Sequence, residues 1–385
     1  MVALSFLAAV LAAPLVLAHP GETAEAVKRE MGMRNTQHAA ASRALSQCQD
    51  TAEAVALRRR AAARRAAKAD QLRAERGLLS KRMMHQKRDL ENLAIYSNQT
   101  HNATELGYSL DTPEETIFGS NNTCALVPET TIGPYYEIHS MSRQEGYELV
   151  ADHERCSVTG EFIRQNITEG QVGIPMHIDI QFLDMNTCTG AAALAADVWH
   201  CNSTGSYAGI NATGEGGLDT TFLRGVQLSD DSGVVAFDTI FPGHYDSRVT
   251  HFHLLVQSNI TALPNDTYTG GTTLHIGQLY FDDTLVKAVE ATDPYTTNTI
   301  AYTTWEIDGW MLEEATTAYD PFVEYVQLGE NLEDGLLAWI TVALDLSSDH
   351  SANVTNSAAA HYYEGGGVGV VNSDKGLPPS NPNAE

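Results

Sequence analysis

The stretch Met176 to Asp184 (MHIDIQFLD) alternates along its length, with Ile178, Ile180 and Phe182 on one face and polar residues between them. A period of two marks a strand with one face in a core. Ala195 to Cys201, Val234 to Ile240, Val249 to Val256 and Thr272 to Asp282 read as further strands. Glu333 to Leu346 contains the apolar, β-branched run GLLAWITVALDL, which reads as a closing strand. Many short strands with turn signals between them predict a mostly β fold, an antiparallel β-sandwich or barrel-like core with long loops, over residues 124–350. Elsewhere the pattern changes. Thr51 to Leu79 is rich in Ala, Arg, Leu, Glu and Lys and lacks proline, which predicts a helix within an arm over residues 19–88. Ala315 to Tyr325 reads as a short helical or irregular piece. Residues 89–123 are polar and predict a loop-rich lead-in. Residues 351–385 are rich in Gly, Ser, Pro and Asn, which predicts disorder.

Charge divides the chain in the same places. The formal net charge is −26, yet only seven of the 23 Lys and Arg follow Arg88. A basic helical arm is therefore joined to an acidic body. Such a body disfavours a nucleic-acid partner, because phosphate binding needs clustered Lys and Arg. Met1 to Ala18 is a short apolar run ending in small residues, which predicts a signal peptide cleaved near Ala18. No later segment is long and apolar enough to predict a membrane span. Nine N-x-S/T sequons, from Asn98 to Asn353, fit a glycosylated, secreted, extracellular protein. The dibasic pairs Lys81-Arg82 and Lys87-Arg88 suggest that the arm is a prosegment that docks on the acidic body and is then cut away; a plain solvated basic helix is the other reading. Four of the five cysteines fall in the body, so two disulfides are expected there. Cys188 with Cys201 is the favoured pair, with Cys124 joined to Cys156 and Cys48 left over.

Candidate chemistry centres on Phe241 to Val256, FPGHYDSRVTHFHLLV. His251 and His253 stand at i and i+2 of a strand, so both imidazoles project from one face and Phe252 and Leu254 from the other. Alone, the pair reads equally well as two strand histidines or as part of a metal site. Tyr245 follows the Pro242-Gly243 turn, and Arg248 lies three residues before His251. A second stretch, Trp199 to Tyr207 (WHCNSTGSY), ends a strand in a turn that presents Tyr207 just past Gly205. Phenolate is a hard anionic ligand that favours ferric iron, and imidazole suits iron, copper or zinc.

These residues resemble the intradiol ring-cleaving dioxygenases, the catechol and protocatechuate 3,4-dioxygenase group, and most closely their secreted fungal branch. The family pattern W-[QH]-x-[DN]-x-x-G-x-Y is similar to Trp199 through Tyr207. Its P-G-x-Y followed by R-x-x-H-x-H is similar to Pro242, Gly243, Tyr245, Arg248, His251 and His253. Gln278, in GQLYF, resembles the family's strand glutamine. Val249-Thr250 depart from the usual Pro-Ala, and Cys201 stands in place of an alanine. The resemblance covers roughly Cys124 to Leu346. It implies a non-haem Fe(III) cofactor held by Tyr207, Tyr245, His251 and His253, with Tyr245 the ligand that leaves and acts as base. Arg248 would stabilise charge on the ring and Gln278 would assist as a neutral hydrogen-bond partner. The implied partners are a catechol-type small molecule and O₂, and the implied product is a muconate-type diacid. Two other readings stand beside it. A cupin-like HxH metal enzyme expects a glutamate soon after the second histidine, and none follows His253. A catalytically silent secreted β-sandwich that binds aromatic compounds or polysaccharide would lack bound metal. The oligomeric state is left open by the sequence.

Overall fold

A computed structural model describes residues 41, 43–78, 101–102, 114–118, 137–139, 162–305 apart from 211, 212, 218, 265 and 267, then 308, 311, 321–351, 360–363 and 366–369. Helix α1 (Ala52–Glu75) and the short α2 (Glu114–Phe118) precede strand β1 (Glu137–His139). The body contains β2 (Pro175–Asp184), β3 (Ala195–Trp199), β4 (Arg224–Leu228), β5 (Val234–Ile240), β6 (His251–Ala262) and β7 (Tyr268–Tyr280). Helix α3 (Asp283–Glu290) follows, then β8 (Glu324–Gln327), β9 (Leu336–Leu344), β10 (Ala360–Tyr363) and β11 (Gly366–Gly369). One four-stranded sheet has the order β5-β2-β9-β8 and another β4-β3-β6-β7. All neighbours in these two sheets are antiparallel except β2 and β9.

The two sheets share one core. Ile178, Ile180 and Phe182 of β2 meet Phe237 of β5 and Ile340 and Val342 of β9 from one side, and Val198 of β3, Phe252 and Leu254 of β6 and Leu279 of β7 from the other. The alternation read in MHIDIQFLD is therefore the inward face of a β-sandwich, and its polar residues face outward. Leu285, Val286 and Val289 of α3 join the same core. Asp282 starts that helix by accepting from Leu285 N at 2.8 Å, an N-cap that alternation alone did not reveal. The strand expected to run to Asp282 thus ends at Tyr280. Strands β4 and β8 were also not read from the sequence. At four or five residues each, they are too short to show a period. Part of the segment read as helical or irregular up to Tyr325 belongs to β8.

The basic arm is helical as expected, and it lies on the outer face of the β5-β2-β9-β8 sheet. Ala62, Ala66, Ala69 and Leu72 cluster with Leu337, Trp339, Val326 and Phe118. Thr51 caps the helix, accepting from Ala54 N. Above this apolar contact, Arg64 donates to Asp179 at 2.7 and 2.9 Å and Arg65 donates to it at 3.2 Å. Burial raises the Asp179 carboxyl pKa, but Arg65 and Arg64 outweigh that and hold it below the usual carboxylate range.

The expected disulfide pairing needs correction. Cys48 of the arm is joined to Cys188 of the body, with Cα atoms 5.6 Å apart, and Cys201 is a free, buried thiol. The Cys188–Cys201 pairing fails because Cys201 continues from β3 into the buried site loop, while Cys188 sits in the turn after β2, beside Leu45, Ala54 and Leu57 of the arm. Cys124 and Cys156 lie outside the described residues, as do Tyr135, Tyr136, the leader and both dibasic pairs. Of the tail read as disordered, only residues 351, 360–363 and 366–369 are described. Residues 360–363 and 366–369 form strands that complete a small sheet with β1, in the order β1-β10-β11. Gly-rich composition masked the β-forming pair Tyr362-Tyr363 and the valine of GGVG.

Candidate metal centre

The site is built on the outer face of the β4-β3-β6-β7 sheet. Because Phe252 and Leu254 point into the core, His251 and His253 point away from it. Strand register sets His253 opposite Trp199 on one side and Gln278 on the other, with His251 opposite Tyr280. The Trp199 and His253 rings stack, 4.8 Å apart and 3° from parallel, which fixes the imidazole plane. His251 Nδ1 lies 2.6 Å from Val249 O. A carbonyl only accepts, so Nδ1 carries the proton and the Nε2 lone pair faces inward. That Nε2 is 3.1 Å from His253 Nε2 and 3.3 Å from Tyr245 Oη.

Two loops bring the tyrosines. After β3, Asn202 Oδ1 accepts from Thr204 N and Ser206 N at 3.1 and 3.0 Å, folding WHCNSTGSY into a tight turn. This turn interlocks with the Pro242-Gly243 turn. A Cβ on Gly205, whose φ is +84°, would lie 2.3 Å from His244 O, and one on Gly243 would lie 2.5 Å from Asn202 O. The glycines of both motifs are thus required by mutual close approach. His244 anchors the second turn, with Nδ1 2.8 Å from Glu290 and Nε2 2.9 Å from Ile300 O. Arg224 donates twice to Ala208 O, at 3.1 and 2.7 Å, and pins the residue after Tyr207. The Tyr207 and Tyr245 rings meet edge to face at 5.4 Å, and Tyr207 meets His253 at 6.0 Å.

Arg248 spans the site. Its Nε donates to Asp308 at 3.0 Å, Nη1 to Tyr245 Oη at 3.2 Å, and Nη2 to Gln278 Oε1 through a short bond. Tyr280 donates to the same Oε1 at 3.0 Å. A guanidinium can only donate, so the Gln278 oxygen must face it and the amide nitrogen must face away. That nitrogen is buried without a hydrogen-bond partner among the described residues. Tyr207, Tyr245, Arg248, His251, His253 and Gln278 are all buried. The six residues picked out by the two motifs and GQLYF therefore stand in one cluster.

Electrostatics suit a cation-binding pocket. Burial, with the Arg248 charge next, lowers the His251 pKa to about 3; burial and the neighbouring His251 hold His253 far below its usual value. Both imidazoles are neutral at pH 7 and available as ligands. Burial pushes the Tyr245 phenol up to about 12, so without a cation it stays protonated; a bound cation reverses that preference. Among the described residues no group of three His, Cys, Asp or Glu is placed to hold a metal ion. The donor set here is instead two imidazoles and two phenols, with His251 Nε2, His253 Nε2 and Tyr245 Oη within 3.3 Å of one another or of a shared neighbour. Those residues fit a hard, trivalent ion.

Sequence reading missed several parts of this arrangement. Asp308 lies in TWEIDGWML, about sixty residues from the motif it serves, and is one of two acids, with Glu306, in an otherwise mostly aromatic and apolar run. Tyr280 was read only as a strand residue. Trp199 opens one of the motifs, but its stacking on a candidate ligand shows only in the structure. Arg164 pairs with Glu169 through a short contact and donates to Arg224 O, and Arg224 holds the Ala208 carbonyl.

No family model matches the chain, and no curated protein does. Among solved structures, an intradiol ring-cleavage dioxygenase from Tetranychus urticae is 23% identical, over 59% of this chain and 98% of that one, with a TM-score of 0.44. The dioxygenase domain of a dioxygenase carbohydrate-binding protein fusion from Streptomyces sp. SirexAA-E is 16% identical, over 58% and 99%, with a TM-score of 0.31. A catechol 1,2-dioxygenase from Pseudomonas arvilla C-1 is 15% identical, over 59% and 64%, with a TM-score of 0.34. Scores of this size carry no argument about activity, which rests on the residues of the site. In its site motifs and among solved structures, the chain resembles the intradiol ring-cleavage dioxygenases.

Proposed function

We propose that the protein is a secreted, Fe(III)-dependent intradiol dioxygenase that opens catechol-type rings between the two hydroxyl-bearing carbons. The observation that carries this reading is the buried convergence of His251 Nε2, His253 Nε2 and Tyr245 Oη beside Tyr207, with Arg248 held against Tyr245. His251, His253, Tyr207 and Tyr245 would hold the iron. When bound there, ferric iron supplies the Lewis acidity that favours a catechol dianion and the electron transfer that lets its carbon react with O₂.

The chain's own groups do the rest. Tyr245, where the ion would hold it as phenolate, would be the group that accepts a proton from a substrate hydroxyl at Oη, which is general-base work. Arg248 lies 3.2 Å from that oxygen and favours its anionic form. Three N–H groups of Arg248 are used by Asp308, Tyr245 and Gln278, which leaves two of a guanidinium's five for charge building on the ring. The Gln278 amide nitrogen offers a further neutral donor. Burial of the cluster excludes water and strengthens each of these interactions. Both atoms of O₂ end in the two carboxylates of the muconate-type product.

Secretion is part of the same proposal, supported by the apolar leader and the nine sequons. Cleavage after Arg82 or Arg88 would separate the arm from the body in sequence. The Cys48–Cys188 bond would keep the two pieces together. The test of function is purified, iron-loaded protein given a panel of catechols and hydroxyquinols, with visible spectra and product mass spectrometry. A coloured protein that yields ring-opened diacids supports the reading; a colourless, iron-free protein that opens none leaves the binding-module reading.

A further inference from the structure

Asp308 is fully buried, and it reaches the site from a segment that neither motif contains. Its Oδ2 accepts from Arg248 Nε at 3.0 Å and from Val249 N at 2.9 Å, and its Oδ1 accepts from Met311 N at 3.2 Å. One carboxylate thus ties the Arg248 side chain to the backbone of the next residue, two positions before His251. The guanidinium is planar, so fixing Nε fixes the directions of both terminal nitrogens. Those nitrogens face Tyr245 Oη and Gln278 Oε1. Without Asp308, Arg248 would be a buried cation beside a phenol, an amide and a second phenol, Tyr280, with the carboxylate of its ion pair gone. Burial raises the Asp308 carboxyl, but Arg248 and the Val249 and Met311 N–H groups outweigh it and keep Asp308 ionised.

We propose that Asp308 is a positioning residue: it orients Arg248 toward Tyr245 and the substrate ring without touching either. This deepens the reading of the site as an intradiol dioxygenase and rests on it for the catalytic consequence, though not for the orientation of Arg248 itself.

The test uses the full chain with Asp308→Asn, alone and combined with Arg248→Ala. Asparagine is nearly isosteric, but its single oxygen can replace only one carboxylate oxygen: accepting from Met311 N, as Oδ1 does, it turns an NH₂ toward Arg248 Nε and Val249 N, where Oδ2 accepted. In the iron-loaded enzyme, iron content and the visible band are expected to stay. The kcat should fall about 100-fold, the order that misplacing a catalytic group costs, with KM changed far less. The double variant should be no slower than Arg248→Ala alone, because both act through one group. In metal-free protein, the Arg248 Nε–H resonance should be protected from exchange in the wild type and lose that protection in Asp308→Asn. An unchanged kcat with a protected Nε–H would overturn the proposal, as would a double variant slower than Arg248→Ala by the full single-variant factor. If Asp308→Asn does not fold, Asp308→Glu replaces it. That variant should keep partial protection and lose about tenfold in kcat, again by misplacement, and unchanged values would refute the idea. If the wild type opens no catechol, the functional reading fails, and the metal-free exchange measurement still decides whether Asp308 holds Arg248.

Discussion

On the outer face of the β5-β2-β9-β8 sheet, the buried Asp179 carboxylate is paired: Arg64 and Arg65 of α1 both bind it, Trp339 and Leu337 lie under the helix's alanines, and the buried atoms left without a hydrogen bond, Arg65 Nη2 and Trp339 Nε1, are scattered. On the outer face of the β4-β3-β6-β7 sheet, buried polar groups converge on one another. Two neutral imidazole nitrogens stand 3.1 Å apart, a phenol is lifted to about 12, and the Gln278 amide nitrogen has no partner among the described residues. The first face is what a fold does with polar groups that serve stability. The second is costly as it stands, since a partly satisfied buried network is worse than an apolar one. A ligand that satisfies it repays that cost, so the two faces separate structure from function.

The comparison breaks most sharply at the histidines. His251→Ala or His253→Ala is expected to abolish iron retention and ring opening, while unfolding and the α1 contact change little by comparison; metal analysis and thermal melts check both halves. Next in size is Asp179→Ala on the other face. It strands the buried Arg65 and should cost about 3–5 kcal/mol of stability, read in denaturant melts, with the visible band unmoved. Arg248→Ala should keep the colour and lose about 10²–10³ in kcat, or roughly 3–4 kcal/mol of transition-state stabilisation, measured by steady-state kinetics. If it loses iron instead, Arg248 belongs to the support of the ligands and not to the chemistry.

Two smaller effects sharpen the α1 side. The folded pKa of Asp179 is depressed below the ordinary aspartate value of 3.8, because Arg65 and Arg64 outweigh burial. Its contribution is therefore fully present above that value and is lost as pH falls through the depressed pKa. Melts between pH 5 and about pH 2 should show a decline that Asp179→Asn removes. Cutting the chain between arm and body should leave one band on a non-reducing gel and two after reduction, because Cys48–Cys188 spans the cut. Two bands without reduction would contradict that linkage.

Much of this was legible in the residues, for physical reasons. Alternation announces a strand with one buried face, so β2, β5 and the His251–His253 face could be read directly. The motif glycines signal close approach, and the structure shows what they approach: His244 O for Gly205 and Asn202 O for Gly243. What escaped depends on distance along the chain. Asp308 acts on Arg248 from sixty residues away, Cys48 reaches Cys188 across 140, and α1 finds its sheet face only once β2 and β9 have paired. No local pattern encodes such contacts. The favoured Cys188–Cys201 pairing failed for that reason: it weighed nearness in sequence, and the nearer partner in space was in the arm.

The central claim is that the buried cluster of Tyr207, Tyr245, His251 and His253 holds ferric iron for ring opening by O₂. The most direct measurement is mass spectrometry of the product formed by iron-loaded protein from catechol under ¹⁸O₂. The account predicts a ring-opened diacid carrying two ¹⁸O atoms, and none from the His253→Ala variant. A product with one labelled oxygen, an intact ring, or equal turnover by that variant would contradict it.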